Sequence, residues 1–330
     1  MRCNMKYSDN ALNIITLKSY KGIGNAWIVK NIVGKKNVDD IVNLLNSKSK
    51  QSFVVTTEHF EAEKNKIKDK IDALGNFCDG FIALGDLNFP RYRGNVKESD
   101  QPVYLFYKGN LSLLDDENKN ITVIGLLNPS TEIEEREKKL VSEITKREIT
   151  IVSGLAFGCD SIAHRQALIG GNTVAILPSP LNNILPAKNR ELAYEIVDNG
   201  GLLITEYYEI HQSAMELNTR YKDRDRLQAL FSDAVILVAS YAKNSATIWN
   251  ITNQKLDSGA RLAMEFAGNY QIPRAIMYNH DVDYQDPMFD LNRELLATNS
   301  VSILTPKVLD NLVSEIHHKK TYVIHQARLF

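Results

Sequence analysis

From Ala11 to about Ile71 the apolar residues recur at helical spacing, Ile28 with Ile32, then Val38, Ile41, Leu44 and Leu45, with breaks at Gly22, Gly24 and Gly34. This pattern predicts a small helical domain over residues 1–75. Turn formers and strand formers follow, Asp86 to Pro90 and then Pro102 to Gly109, and predict a connecting segment over 76–115 with one or two strands. From Ile121 onward short apolar runs alternate with helical stretches. Strands are expected at Ile121–Gly125, Thr150–Ser153, Thr173–Leu177, Leu202–Thr205, Ala234–Ala239 and Arg274–Tyr278. Helices are expected between them, ending near Lys146 and then over Ser161–Ile169, Asn189–Asn199, Asp223–Phe231 and Ala260–Gly268. That rhythm predicts an α/β fold over 116–310 with a doubly wound, mostly parallel sheet, where ligands bind outside the carboxyl ends of the strands. Residues 311–330 read as a C-terminal tail: the helix Thr305–Ile316 runs into it, and a short strand follows at Thr321–Ile324.

Composition narrows the class. With 44% hydrophobic and 24% charged residues, the 330-residue chain is that of an ordinary globular protein long enough for more than one domain. Its apolar runs, such as Ala234 to Ala239, are strand-length, and the N-terminus lacks the apolar stretch of a signal peptide. A cytoplasmic location with no membrane contact is expected. Cys3, Cys78 and Cys159 are odd in number and far apart, which suggests neither a disulfide framework nor a zinc knuckle, and no metal or cofactor is expected. The net charge of -1 means that a polyanion can be held only by a local basic cluster.

Chemistry concentrates in Ile151 to His164, a buried strand entering a glycine-containing turn and then a helix. Gly154 and Gly158 allow a tight turn with backbone donors at a helix N-terminus, which suits a phosphate or carboxylate. Asp160 is expected to cap that helix, and His164 lies one turn further along the same face. A capped helix with a packed histidine accounts for the same residues equally well. Near Gly22 and Gly24, Lys21 to Asn25 fits either the hairpin of a helix-hairpin-helix or a plain turn between helices.

Ser153-Gly-Leu-Ala-Phe-Gly-Cys-Asp-Ser-Ile-Ala-His164 is similar to the SGLAxGIDxxAH motif of the DprA (Smf) DNA-processing family, and its neighbours agree in order. Asp86 to Pro90 with Pro102, Leu105 and Lys108-Gly109 resembles the segment that precedes the family's Rossmann-like domain. Leu185 to Asn189 resembles YPxxN without its tyrosine, Gly200 to Tyr207 the G…lSEyp strand, and Arg224 to Ala234 the motif RNRIIAGLSDA. Ser258-Gly259 with Ala267 stands where SGSxxTAxxA is expected. The match covers about Phe81 to Tyr278. The N-terminal helices resemble the family's SAM-like or helix-hairpin-helix region less specifically.

The resemblance implies a Rossmann-like, non-catalytic protein that holds single-stranded DNA, forms a homodimer and helps to load a RecA-type recombinase. The implied phosphate- and DNA-binding residues are Gly125, Ser153, Gly154, Gly158, Asp160, His164, Lys188, Asn189, Arg224, Arg226, Ser258 and Gly259, with Arg220 and Lys222 extending a basic groove and Tyr207 or Tyr208 offering a stacking face. For Arg224 and Arg226 the alternative is ion pairing with Asp223, Asp225 or Asp233 on a solvated helix. Several positions depart from the family pattern. The first turn reads Gly125-Leu-Leu-Asn-Pro-Ser130 in place of GSRxxSxYG, so Leu127 replaces an arginine; Pro180 and Ala263 replace a glycine and a threonine. Tyr241 to Leu256 reads as an insertion, and too little chain follows Leu309 for the winged helix of many relatives. These departures keep open a sensor of a nucleotide-derived ligand, as in the wider SLOG superfamily, and, more remotely, a nucleotide phosphoribohydrolase, of whose PGGxGTxxE motif only Ser258-Gly259 and Glu265 stand in place.

Overall fold

A computed structural model of the chain describes residues 5–32, 37–48, 53–252, 256 and 259–327, with side chains described as far as residue 316 in the last helix. Its centre is a parallel sheet of β3 (Asn120–Ile124), β4 (Thr150–Ser153), β5 (Thr173–Ile176), β6 (Leu202–Thr205), β7 (Ala234–Leu237), β8 (Arg274–Ile276) and the two-residue β9 (Ser302–Ile303). The strands from β3 to β7 are buried residue by residue, the pattern of a sheet covered on both faces. The segment read as a connector supplies two more strands, β1 (Gly80–Ala83) and β2 (Tyr104–Gly109); β2 pairs antiparallel with β6 and with β1. The full order is β1-β2-β6-β5-β4-β3-β7-β8-β9.

Strand order reverses at β3. Chain progress runs outward through β4, β5 and β6 on one side and through β7, β8 and β9 on the other. The loops leaving β3 and β7 therefore part, and a crevice opens at the carboxyl ends of these strands. The helices that follow the strands are α5 (Thr131–Thr145), α6 (Cys159–Ala167), α7 (Arg190–Asp198), α8 (Ala214–Leu230), the short α9 (Ser245–Ile248), α10 (Ala260–Asn269) and α11 (Asp290–Ala297). α5 packs on α6 and α6 on α7, while α8 packs on α10. Buried Thr122 of β3 ties α8 to the sheet by donating to the Gln228 carbonyl at 2.8 Å.

Four helices precede the sheet: α1 (Asp9–Lys18), α2 (Asn25–Asn31), α3 (Val38–Lys48) and α4 (Thr57–Asp72). α1 packs on α4, β1 and β2, and the core residues of these helices form one hydrophobic cluster with Phe81, Phe106 and Leu203 of the sheet. Lys21 to Asn25 is the turn between α1 and α2, with Gly22 at φ +82°.

Short α9, α11 and β9 were not foreseen from the sequence, and two foreseen elements differ. α8 begins at Ala214, not Asp223, because the N-cap Ser213 accepts from the Glu216 N–H at 3.1 Å and the Glu216 carboxylate reaches back to accept from the Gln212 N–H at 2.7 Å, a side-chain cap that starts the helix earlier. Thr321–Ile324, expected as a strand, lies inside α12 (Pro306–Ala327). Once a helix is nucleated, each added residue gains a backbone hydrogen bond, and this outweighs the modest strand preference of Thr-Tyr-Val-Ile.

Candidate nucleic-acid interface

The crevice at the strand ends holds a groove of about 550 Å³. Leu127 after β3, Ala156 and Phe157 after β4, and Pro186 form one wall; Tyr221, Lys222 and Arg224 of α8, with Gly259 and Leu262 at the start of α10, form the other. The β4–α6 loop shapes it. Leu155 is buried at φ +58° and Gly158 sits at φ +67°, a reversal that leaves Phe157 42% exposed at the rim. Asn189 fixes this loop from below by donating to the carbonyls of Leu155 and Ala156 at 2.9 and 3.1 Å.

Each glycine of the sequence motif has a separate steric reason. A methyl group at Gly154 would run into the Arg224 guanidinium, and one at Gly158 into the Leu126 carbonyl. At Gly125 it would lie 2.6 Å from the Cys159 sulfur, so this glycine lets β3 and α6 approach closely. Gly259 stands at φ +71° as the N-cap of α10, where a methyl would meet the Asp225 carboxylate at 2.8 Å. Ser258 lies outside the described residues.

Asp160 does not cap α6: Gly158 is the N-cap, and Asp160 sits in the first turn with its Oδ2 accepting the Ala156 N–H at 3.2 Å. The Cys159 N–H, at the helix start, donates to the Leu126 carbonyl at 2.9 Å. One of the first α6 N–H groups is thus taken by the chain's own carbonyl. Ser153 is likewise spent inside the sheet, donating to the Val123 carbonyl at 2.8 Å.

Arg224 is buried on the groove wall. It lies 3.4 Å from Asp160 Oδ2 and 3.3 Å from Asp225 Oδ1, and donates to Gln228 Oε1 at 3.0 Å. Burial pushes the Asp160 carboxyl above its ordinary value, against the pull of Arg224. The Arg224 Nε–H has no acceptor among the described residues. Lys222 is exposed on the same wall and has no ion pair among the described residues.

Arg226 is not part of this groove. Positions two apart on a helix point to nearly opposite sides, and Arg226 turns into a second cavity, paired with Glu206 and donating to the Asp100 carbonyl. Lys188 is exposed but does not line the groove. Tyr207 donates to Asp223 Oδ2 at 2.6 Å with the Arg220 guanidinium 4.1 Å over its ring, and Tyr208 packs toward Phe106. The alternative of surface ion pairs fits the partners only in part: Arg224 does meet Asp225, but the pair is buried, and Asp233 instead receives the Asn120 N–H.

His164 is fully buried. The Thr173 hydroxyl donates to the Ile151 carbonyl at 2.9 Å, so the histidine Nδ1–H donates to Thr173 Oγ1 at 2.7 Å and the ring is neutral. Burial, aided by the Arg224 charge, lowers its pKa to about 3. The unfolded ring titrates near pH 6.5, so the unfolded state alone takes up this proton between the two values, and the contribution falls as pH drops below 6.5. Relative to a His164→Gln variant, the parent should lose about 1.6 kcal/mol of unfolding free energy between pH 6.5 and 5.0, the slope approaching about 1.4 kcal/mol per pH unit at the acid end. Urea titrations at the two pH values test this; an unchanged difference would mean that the ring protonates freely in the fold.

Residues 80–271 match the profile of the DNA recombination-mediator protein A family. The chain is 33% identical to the DNA processing protein DprA of Streptococcus pneumoniae over 235 residues, 69% of this chain and 77% of that one. It is 30% identical to Protein Smf of Borreliella burgdorferi over 166 residues, 50% of this chain and 51% of that one. The chain thus spans about half the length, or less, of the first curated Smf relatives that it matches. Among solved structures, the S. pneumoniae DprA structure superposes with TM-score 0.64 at 23% identity, covering 91% of this chain and 96% of that one. The DNA processing protein A structure from Helicobacter pylori, described for its single-stranded DNA binding mode, superposes with TM-score 0.55 at 24% identity, covering 72% and 96%. Both likenesses are of fold.

Proposed function

Since this chain belongs to the DNA recombination-mediator protein A family, we propose that it holds single-stranded DNA in the groove between the β4–α6 loop and α8. The observation that carries this reading is the pairing of an exposed aromatic face, Phe157, with the exposed cation Lys222 across one groove. Non-specific strand binding needs both a stacking surface and a charge that follows the backbone. The role is binding without chemistry: His164 is neutral and packed, and burial pushes the Cys159 thiol far up, so neither serves as base or nucleophile. Gly154, Gly158, Asn189 and Gly259 shape the groove, and Asp160 holds Arg224 in place. Family membership extends the proposal to a homodimer that assists a RecA-type recombinase in the cytoplasm; light scattering that gives a monomer at tens of micromolar would remove the dimer. Leu127 on the groove wall favours a second reading, a nucleotide-derived small ligand in the same place, since the turn carries no cation.

Fluorescence anisotropy with a labelled oligothymidylate over a series of salt concentrations separates the contributions. Lys222→Ala should reduce the slope of log affinity against log salt by about 0.7, the share of one phosphate contact on a single strand. Phe157→Ala should weaken binding about tenfold, within the range of one lost base stack, and leave the slope as it was. Parent-like affinity and slope in the double variant would eliminate the groove as the DNA site and move the small-ligand reading to first place.

A further inference from the structure

We propose that the cavity on the opposite side of α8, about 630 Å³ in volume, is a second ligand site that takes a guanine base. It lies where the N-terminal helices meet the sheet: Lys18 of α1 and the 99–104 segment close one side, and the end of β6, α8 and α10 close the other. Its walls carry charges of both signs within a shell of aromatic rings. Arg226 is buried, with its Nε–H lacking an acceptor among the described residues, and Lys18 is held by Asn25 Oδ1 at 2.7 Å. Among the described residues Glu206 meets Arg226 through Oε2 and Asp223 meets Tyr207 through Oδ2, so the second oxygen of each carboxylate has no hydrogen bond there.

This arrangement favours a ligand with both donors and acceptors. The wall sets three carboxylates, Asp100, Glu206 and Asp223, against three cations, Lys18, Lys222 and Arg226, so a ligand that offers both donors and acceptors matches it better than a purely anionic or apolar one. What fits is a flat, neutral ring with a donor pair beside an acceptor pair. Guanine has this edge: N1–H and N2–H donate to a carboxylate, while O6 and N7 accept from arginine or lysine. Tyr104 and Phe266 line the cavity and give the base apolar ring surface to pack against. Adenine lacks the donor pair that a carboxylate would receive. The base can come from a free nucleotide or from a strand whose neighbouring nucleotides lie in the first groove, because Lys222 lines both cavities.

Calorimetric titration of the whole chain with guanosine and adenosine 5′-monophosphates tests the free-nucleotide source. Anisotropy with an oligothymidylate carrying one central guanine, against the all-thymine strand, tests the strand source. At least a tenfold preference for guanine is expected in one of the two arms. Glu206→Gln should abolish that preference. Ala26→Trp, a change at the cavity wall that leaves the Arg226–Glu206 pair untouched, should abolish guanine binding while all-thymine binding persists. Equal binding of guanine and adenine, absence of guanine preference in both arms, or parent-like guanine binding by Ala26→Trp would each overturn the proposal. Failure of the all-thymine strand to bind would count only against the first groove.

Discussion

Replacing Arg224 by alanine is expected to lower the unfolding free energy by about 3–5 kcal/mol, the range for removing one partner of a buried ion pair. The guanidinium lies between Asp160 and Asp225, and all three side chains are almost wholly withdrawn from solvent. Without it the buried Asp160 carboxylate loses the cation beside it, Asp225 loses one of its contacts, and part of their desolvation is no longer offset. The deficit should shrink on acidification. Burial already raises the Asp160 carboxyl, and losing Arg224 raises it further, so the folded variant takes up a proton before the unfolded chain does and gains stability as pH falls. Urea unfolding at pH 7.5 and 5.5 tests both points; a loss below about 1 kcal/mol would place the pair in the surface class. An alanine at this position therefore reports on folding before it reports on DNA, which is why Lys222 and Phe157 are the better probes of the groove.

Gly158→Ala is expected to cost about 3 kcal/mol, adding left-handed backbone strain to a steric clash. At φ +67° an added methyl collides with the Leu126 carbonyl, the group that accepts the Cys159 N–H. Relief requires the β3–α5 and β4–α6 loops to part, and these carry Leu127 and Phe157 of the groove. Oligothymidylate affinity should fall with stability. Gly170→Ala serves as the control, because nothing lies within 4 Å of the added methyl; a change within about 1 kcal/mol is expected there. Equal thermal denaturation midpoints for the two variants would show that the loop adjusts without strain.

Much of the architecture was legible from the sequence because the signals are local. Buried strands such as Ala234 to Leu237 announce themselves as continuous apolar runs, and their alternation with helices implies a parallel sheet covered on both faces. The turn from Ser153 to Gly158 marks the crevice because the glycines there are required by close neighbours. The split between Arg224 and Arg226 was also available, since positions two apart on a helix diverge. Spacing in the chain grouped them by motif, and the helix separates them.

Other features depend on partners distant in sequence. Arg224 meets Asp160 across 64 residues, and Arg226 meets the Asp100 carbonyl across 126, so no local pattern reveals whether either cation is free or already paired. Lys188 belongs to a motif next to the groove, yet the chain path leaves it off the wall, whereas Phe157, an ordinary apolar residue in sequence, is turned outward at the rim. Strand order belongs to the same class: β2 pairs with β6 because the tertiary fold brings residues 104–109 beside 202–205. Local composition therefore determined most of the strands and helices of the sheet domain and where the glycine turn lies. Only the tertiary structure decided which charges are neutralised and which reach the groove, because desolvation and pairing depend on what folding brings within a few ångströms.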